Sequence, residues 1–232
     1  KAQERVTQGT QLNHWTLNSG AKCVLAPIPE APLTCIDLWC RAGSAFETSG
    51  DEGLAHFLEH MVFKGSSTLD AGEFDLQIET LGGSSNAATG FDDVHFFVLV
   101  PPKAAFAALD LLLNLVLSPA FDPEAYCLER EVVLEEIAQS KDQPDEQVFQ
   151  ELLRNCWRNH PYGRPILGEE KSLKKSTPET MRAFHNRQYI GKNCCIVIAG
   201  NIPKGIDASL DKSQLAELSN KDLDINSTSS NS

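Results

Sequence analysis

At 232 residues, 41% hydrophobic and 22% charged, the chain has the composition of a soluble globular protein built on one large domain. It contains no run of about 18 apolar residues, so the sequence predicts no membrane span. The net charge of −12, from 32 acidic and 20 basic residues, gives a surface that repels phosphate backbones and argues against a nucleic-acid partner.

In chain order, HWTL (14–17) and AKCVLAPI (21–28), joined by a glycine-containing turn, read as a hairpin, and LTCIDLWC (33–40) as a third strand. Residues 53–64 have helical periodicity. Asp70, with Glu73 three residues on, predicts a capping box for a helix that stops at Gly82-Gly83. SSNAATG (84–90) and VHFFVLV (94–100) read as paired strands, and AAFAALDLLLNLVL as a buried helix over about 103–117. Asp122-Pro123-Glu124 opens a long helix: a capping side chain, a proline where no N–H is needed, then acid in the first turn. That helix is expected to end near 141. Another follows at EQVFQELLRNCW, then a loop, NHPYGRPILG, then a helix opened by Thr177-Pro178-Glu179 and a buried strand NCCIVIAG (193–200). Strands and helices do not alternate regularly, so the class is α+β, a sheet of largely antiparallel strands packed against helices. Past about 205 the apolar periodicity fades, which places a domain at 1–205 and a polar, disordered or truncated tail at 206–232. Seven cysteines, an odd number without C-x-x-C spacing, fit a reducing compartment such as the cytoplasm. A start at Lys1 leaves room for a removed leader or a longer parent, so the compartment is not fixed.

The chemistry concentrates at GLAHFLEHMVFKG (53–65). Residues four apart on a helix point the same way, so His56 and His60 can share one ion, with Glu59 bordering that face as a proton acceptor. Two imidazoles and a carboxylate make a common catalytic zinc set. A pair of hydrogen-bonded histidines on an amphipathic helix would give the same five residues, so a third ligand has to decide. The long helix supplies candidates. With Val132 at zero and about 100° per residue, Ala125, Leu128, Val132, Val133 and Ile137 form an apolar arc that also holds Glu129 and Glu136. Two carboxylates on a buried stripe are costly unless paired or bound to metal. Glu135 lies at the edge of the arc and Glu131 on the polar side. Cys127, a rival thiolate ligand, lies well away and is expected to be a packing residue.

Together these stretches, GLAHFLEHMVFKG, GGSSNAATGFDDVHFF, LEREVVLEEI and NHPYGRPILG, resemble the pitrilysin-like (M16) zinc metallopeptidases, and look most like mitochondrial processing peptidase and its bacterial relatives. The resemblance covers about residues 10–203. It implies one Zn2+ per chain held by His56, His60 and Glu136, with 75 residues separating the last from His60. It implies Glu59 as general base for water activated with the zinc, and Glu129 as a second catalytic glutamate supporting the Glu136 side of the site. It also implies that Asn86 and Ala87 bind an extended peptide substrate along a strand edge. The activity so implied is zinc-dependent hydrolysis of extended peptides or presequences.

Family enzymes enclose substrate between two homologous halves, and this chain matches the zinc-bearing one. The resemblance therefore implies a second M16-like domain, a separate chain or a homodimer as partner. Two other functions use the same motif: a non-catalytic scaffolding subunit, and a small-molecule zinc hydrolase with a cysteine as third ligand. Substituting Cys127 and Glu136 separately and measuring zinc retention discriminates the last.

Overall fold

The computed structural model describes residues 12–219. Six strands form one sheet: β1 (Asn13–Thr16), β2 (Lys22–Pro27), β3 (Thr34–Cys40), β4 (Ser84–Thr89), β5 (Val94–Val100) and β6 (Cys194–Gly200), in the spatial order β1-β2-β6-β3-β5-β4. Only the β2–β6 pair is parallel. β4 lies at one edge of the sheet. The helices are α1 (Leu54–Val62), α2 (Glu73–Thr80), α3 (Ala105–Leu117), α4 (Pro123–Lys141), α5 (Pro144–Cys156), α6 (Glu170–Leu173), α7 (Pro178–Gln188), α8 (Ile206–Leu210) and α9 (Gln214–Glu217). The class is α+β, as the residue patterns indicated.

Burial alternates strictly along β3, β5 and β6. Ile36, Leu38, Phe96, Val98, Ile196 and Ile198 point into the core beneath α1, α3 and α7, and their neighbours lie on a partly exposed face. Period-two alternation is what a sheet with one packed face demands. Asp122 caps α4 by accepting from the Ala125 N–H at 2.8 Å, and Thr177 caps α7 in a reciprocal box with Thr180.

Three local expectations change. The α2 box is only half formed: the Glu73 carboxylate accepts the Asp70 N–H (3.0 Å), but the capping residue is Gly72 in the left-handed region. The boundary at 205 falls too early. Ile206, Leu210 and Leu215 are buried, so α8 and α9 close the core on short apolar anchors that are too sparse to give a periodic signal. The rest of the expected tail lies outside the described residues. The third change, the orientation of α4, belongs with the site.

One close approach seats the metal-motif helix. Gly53, at φ +93°, precedes α1, and a Cβ on Gly168 would come within 2.2 Å of its Cα. Only glycine at both positions lets the 165–169 loop press on the start of α1. Glu47 completes that end, its two carboxylate oxygens accepting the Gly53 and Ala55 N–H groups (3.1 and 2.8 Å). Burial pushes the Glu47 carboxyl up to about 8, against the pull of those two donors and of Arg164.

Candidate metal and catalytic site

α1 and α4 pack side by side and bring the predicted residues together. His56 Nε2 and His60 Nε2 each lie 3.6 Å from Glu136 Oε2. Among the described residues these three form the one cluster of potential ligands, with donor atoms all within 4.8 Å of one another. Zinc bonds of 2.0–2.1 Å at tetrahedral angles set neighbouring donors about 3.4 Å apart. Two imidazole nitrogens and one carboxylate oxygen therefore fit the group in both kind and spacing. Burial, then the neighbouring His60, holds His56 down to about 4, so its imidazole is neutral at physiological pH, the form in which it can ligate.

Glu129 is placed differently from the expectation. Its Oε1 meets His60 Nδ1 at 2.9 Å and its Oε2 takes Lys64 Nζ at 2.7 Å. It fixes the ring of His60, leaving Nε2 facing Glu136. Burial raises its pKa, but the bonds from Lys64 and His60 outweigh burial and hold the carboxyl below the usual range. Lys64 lies outside the motif that runs from His56 to His60, and its position four residues after His60, in the turn that follows α1, was the available signal.

Glu59 lines the same cleft as His56 and Glu136. The Thr89 hydroxyl at the end of β4 donates to its carboxylate, tying the metal-motif helix to the edge strand. Burial raises the Glu59 pKa by more than Thr89 and His60 pull it back. A carboxyl raised in this way is a better proton acceptor than an exposed glutamate. On β4 itself, Asn86 is exposed, and its Oδ1 accepts the Ala87 N–H at 2.9 Å. The strand thus covers one of its own edge donors with a side chain.

The apolar arc assigned to α4 is corrected. Leu128 is 68% exposed and Val132 47%, while Tyr126, Glu129, Val133 and Ile137 are buried. The helix is turned so that Glu129 falls on the packed face and Glu136 at its rim. The reason is tertiary: with Glu129 and Glu136 turned toward α1, Leu128 and Val132 are left facing out, while Ala125, Val133, Leu134 and Ile137 pack against the core. Glu135 and Glu131 are exposed, and Cys127, expected to pack, is exposed as well. The cleft, of about 490 Å³, is also lined by Phe91, Phe149, Gln150, Ile166 and Leu167. Phe91, Ile166 and Leu167 lie within the GGSSNAATGFDDVHFF and NHPYGRPILG stretches, but no local signal assigned them or the α5 residues to the cleft, because a turn, a helix and a loop meet there only in the fold.

The profile of the insulinase family (peptidase family M16) matches residues 22–170. The chain belongs to peptidase family M16. An uncharacterised zinc protease of Rickettsia felis is 32% identical over 186 residues, covering 80% of this chain and 45% of that protein. A probable mitochondrial-processing peptidase subunit beta of Arabidopsis thaliana is 30% identical over 187 residues, covering 81% of this chain and 35% of that protein. Among solved structures, a protease from Helicobacter pylori superposes with a TM-score of 0.86 at 27% identity, covering 92% of this chain and 52% of the other. The chain spans about half the length, or less, of the M16 relatives it matches. No described helix is long and apolar enough to cross a membrane.

Proposed function

We propose that this M16 chain is the zinc-bearing half of an endopeptidase that hydrolyses extended peptides or presequences. The observation that carries the proposal is the convergence of His56 Nε2, His60 Nε2 and Glu136 Oε2 in one cleft with the Glu59 carboxyl. His56, His60 and Glu136 hold one zinc per chain. When bound, zinc supplies a Lewis acid that polarises the scissile carbonyl and makes an attacking water more acidic.

The chain's own residues do the rest. Glu59 takes the proton of the attacking water and delivers it to the leaving amine. Thr89 orients the Glu59 carboxylate, and Glu129, anchored by Lys64, orients His60. Asn86 and Ala87 offer backbone groups on the free edge of β4 to an extended peptide, which joins the sheet with little regard for its side chains. The Asn86 side chain swings off the Ala87 N–H as the peptide takes that donor. A second M16-like domain, as a separate chain or a second copy, closes over the cleft.

The test is zinc per chain after dialysis against a weak chelator, paired with peptide cleavage by wild type and Glu59→Gln. Wild type is expected to keep about one zinc, the stoichiometry of a single three-ligand site. Glu59→Gln is expected to keep the metal and lose turnover. Equal turnover in the two proteins removes Glu59 from the mechanism. Zinc retention by Glu136→Ala equal to that of wild type removes Glu136 from the ligand set.

A further inference from the structure

A groove leaves the metal cleft beneath α5. The cleft continues into a narrower space of about 130 Å³, walled in common by Ser140, Glu146, Gln150 and Leu167. That space opens in turn, past Ile137 and Pro165, into a cavity of about 670 Å³. The far cavity is basic. In a chain with a net charge of −12, five of its 20 basic residues line this one space, against Glu169 and Glu170. Lys174 is paired with Glu170 (2.6 Å) and Arg154 with Glu151 (2.9 Å). Lys141, Lys171 and Lys175 have no ion pair among the described residues. Lys141 lies five residues after Glu136 on α4, about 7.5 Å along the helix axis. An extended peptide covers that length in two to three residues.

We propose that this basic end of the groove is a subsite for an acidic side chain of the peptide substrate, two to three residues from the scissile bond. The assignment rests on the peptidase reading above. Continuity with the metal cleft favours a carboxylate carried on the substrate over a free anion. Lys141 is partly offset by Glu170, but Lys171 and Lys175 keep the space net positive, and a carboxylate entering it forms new pairs with them. The lysines are solvated, so the preference is modest and weakens with salt.

The experiment titrates acetylated tetra-glutamate and tetra-glutamine peptides into the full chain by calorimetry at low ionic strength. It is repeated on a Lys171→Glu, Lys175→Glu double variant and on Lys103→Glu, which makes half that charge change at a distant exposed site. Tetra-glutamate is expected to bind and tetra-glutamine not to bind. The double variant should lose affinity by roughly tenfold or more, while the Lys103 control changes by less than about twofold. Lys171→Gln with Lys175→Gln, which removes charge without adding acid, should give a smaller loss in the same direction. No binding by wild type, equal binding by all proteins, or binding of inorganic pyrophosphate in place of tetra-glutamate overturns the proposal.

A second arm compares cleavage of peptides carrying Glu or Gln two or three residues to either side of the scissile bond. A kcat/KM preference for Glu that disappears in the double variant supports the subsite. Cleavage without any such preference overturns the subsite and leaves the peptidase reading standing. Tetra-glutamate binding with no peptide cleaved counts against the peptidase reading and supports the acidic-ligand site alone.

Discussion

Glu129 shows how much of the site depends on one side chain that touches no substrate. It accepts from His60 and Lys64 together, so its removal frees the His60 ring and leaves the Lys64 ammonium without its partner. Partners of metal-ligating histidines are worth about 10–100-fold in metal affinity. Glu129→Gln is expected to weaken zinc binding by about tenfold and Glu129→Ala by more, read by competition with a chelating dye. Unchanged zinc affinity in both variants would leave Glu129 as a structural residue only. A second buried group sets a pH response away from the site. His185 is 6% exposed, and its Nε2–H donates to the Val116 carbonyl at 2.9 Å. Burial holds its pKa down to about 4, from the usual 6.5, against the pull of that carbonyl. Between those values the unfolded chain binds a proton that the native chain refuses. The His185 contribution is therefore full above pH 6.5 and is lost as pH falls toward 4, by about 3 kcal/mol. His185→Gln should show a smaller drop in melting temperature than wild type between pH 7 and pH 4.5; an identical drop would mean that His185 does not set the response.

Two helices depart from the rule that apolar faces are buried. α4 leaves Leu128 and Val132 in solvent, and α5 carries Val148, Phe149 and Leu152 at 70, 52 and 56% exposure with no buried residue at all. A helix held by so few apolar contacts opens at low free-energy cost. Backbone amides of α5 are expected to exchange with deuterium faster than those of α3, which buries seven residues against the sheet. Equal protection in the two helices would contradict this. Opening of α5 would also uncover the groove between the metal cleft and the basic cavity, since Gln147, Gln150 and Arg154 form part of its wall. The helix-wheel reading of α4 erred for a physical reason. Periodicity gives the spacing of apolar residues, but only packing decides which of two adjacent stripes is covered. In α4 the requirement to aim Glu129 and Glu136 at α1 prevailed over burial of Leu128 and Val132.

Residues 12–219 form a sheet with one packed face, an open edge at β4 and a cleft between α1 and α4 that holds the candidate ligands, and the chain spans about half the length of its relatives or less. Of the exposed apolar residues of α4 and α5, Phe149 lines the cleft. The sequence by itself determined the class and the strand and helix order, and it marked His56 and His60 as a candidate ligand pair, with Glu136 as third ligand through the family resemblance. Those signals are local: alternation at two, periodicity at 3.6, capping residues, and an H-x-x-E-H spacing that puts two imidazoles on one helical face. It also marked Glu129 and Glu136, because carboxylates among aliphatic residues stand out. Only the tertiary structure decided that Glu129 serves His60 rather than Glu136, and that Thr89 reaches Glu59 across the α1–β4 contact. It alone decided that Ile206, Leu210 and Leu215 still belong to the core, and that scattered lysines from α4, the α6 helix and the turn after it meet in one cavity. Each of these depends on distances between elements far apart in sequence, which are fixed by packing and leave no periodic or compositional trace along the chain.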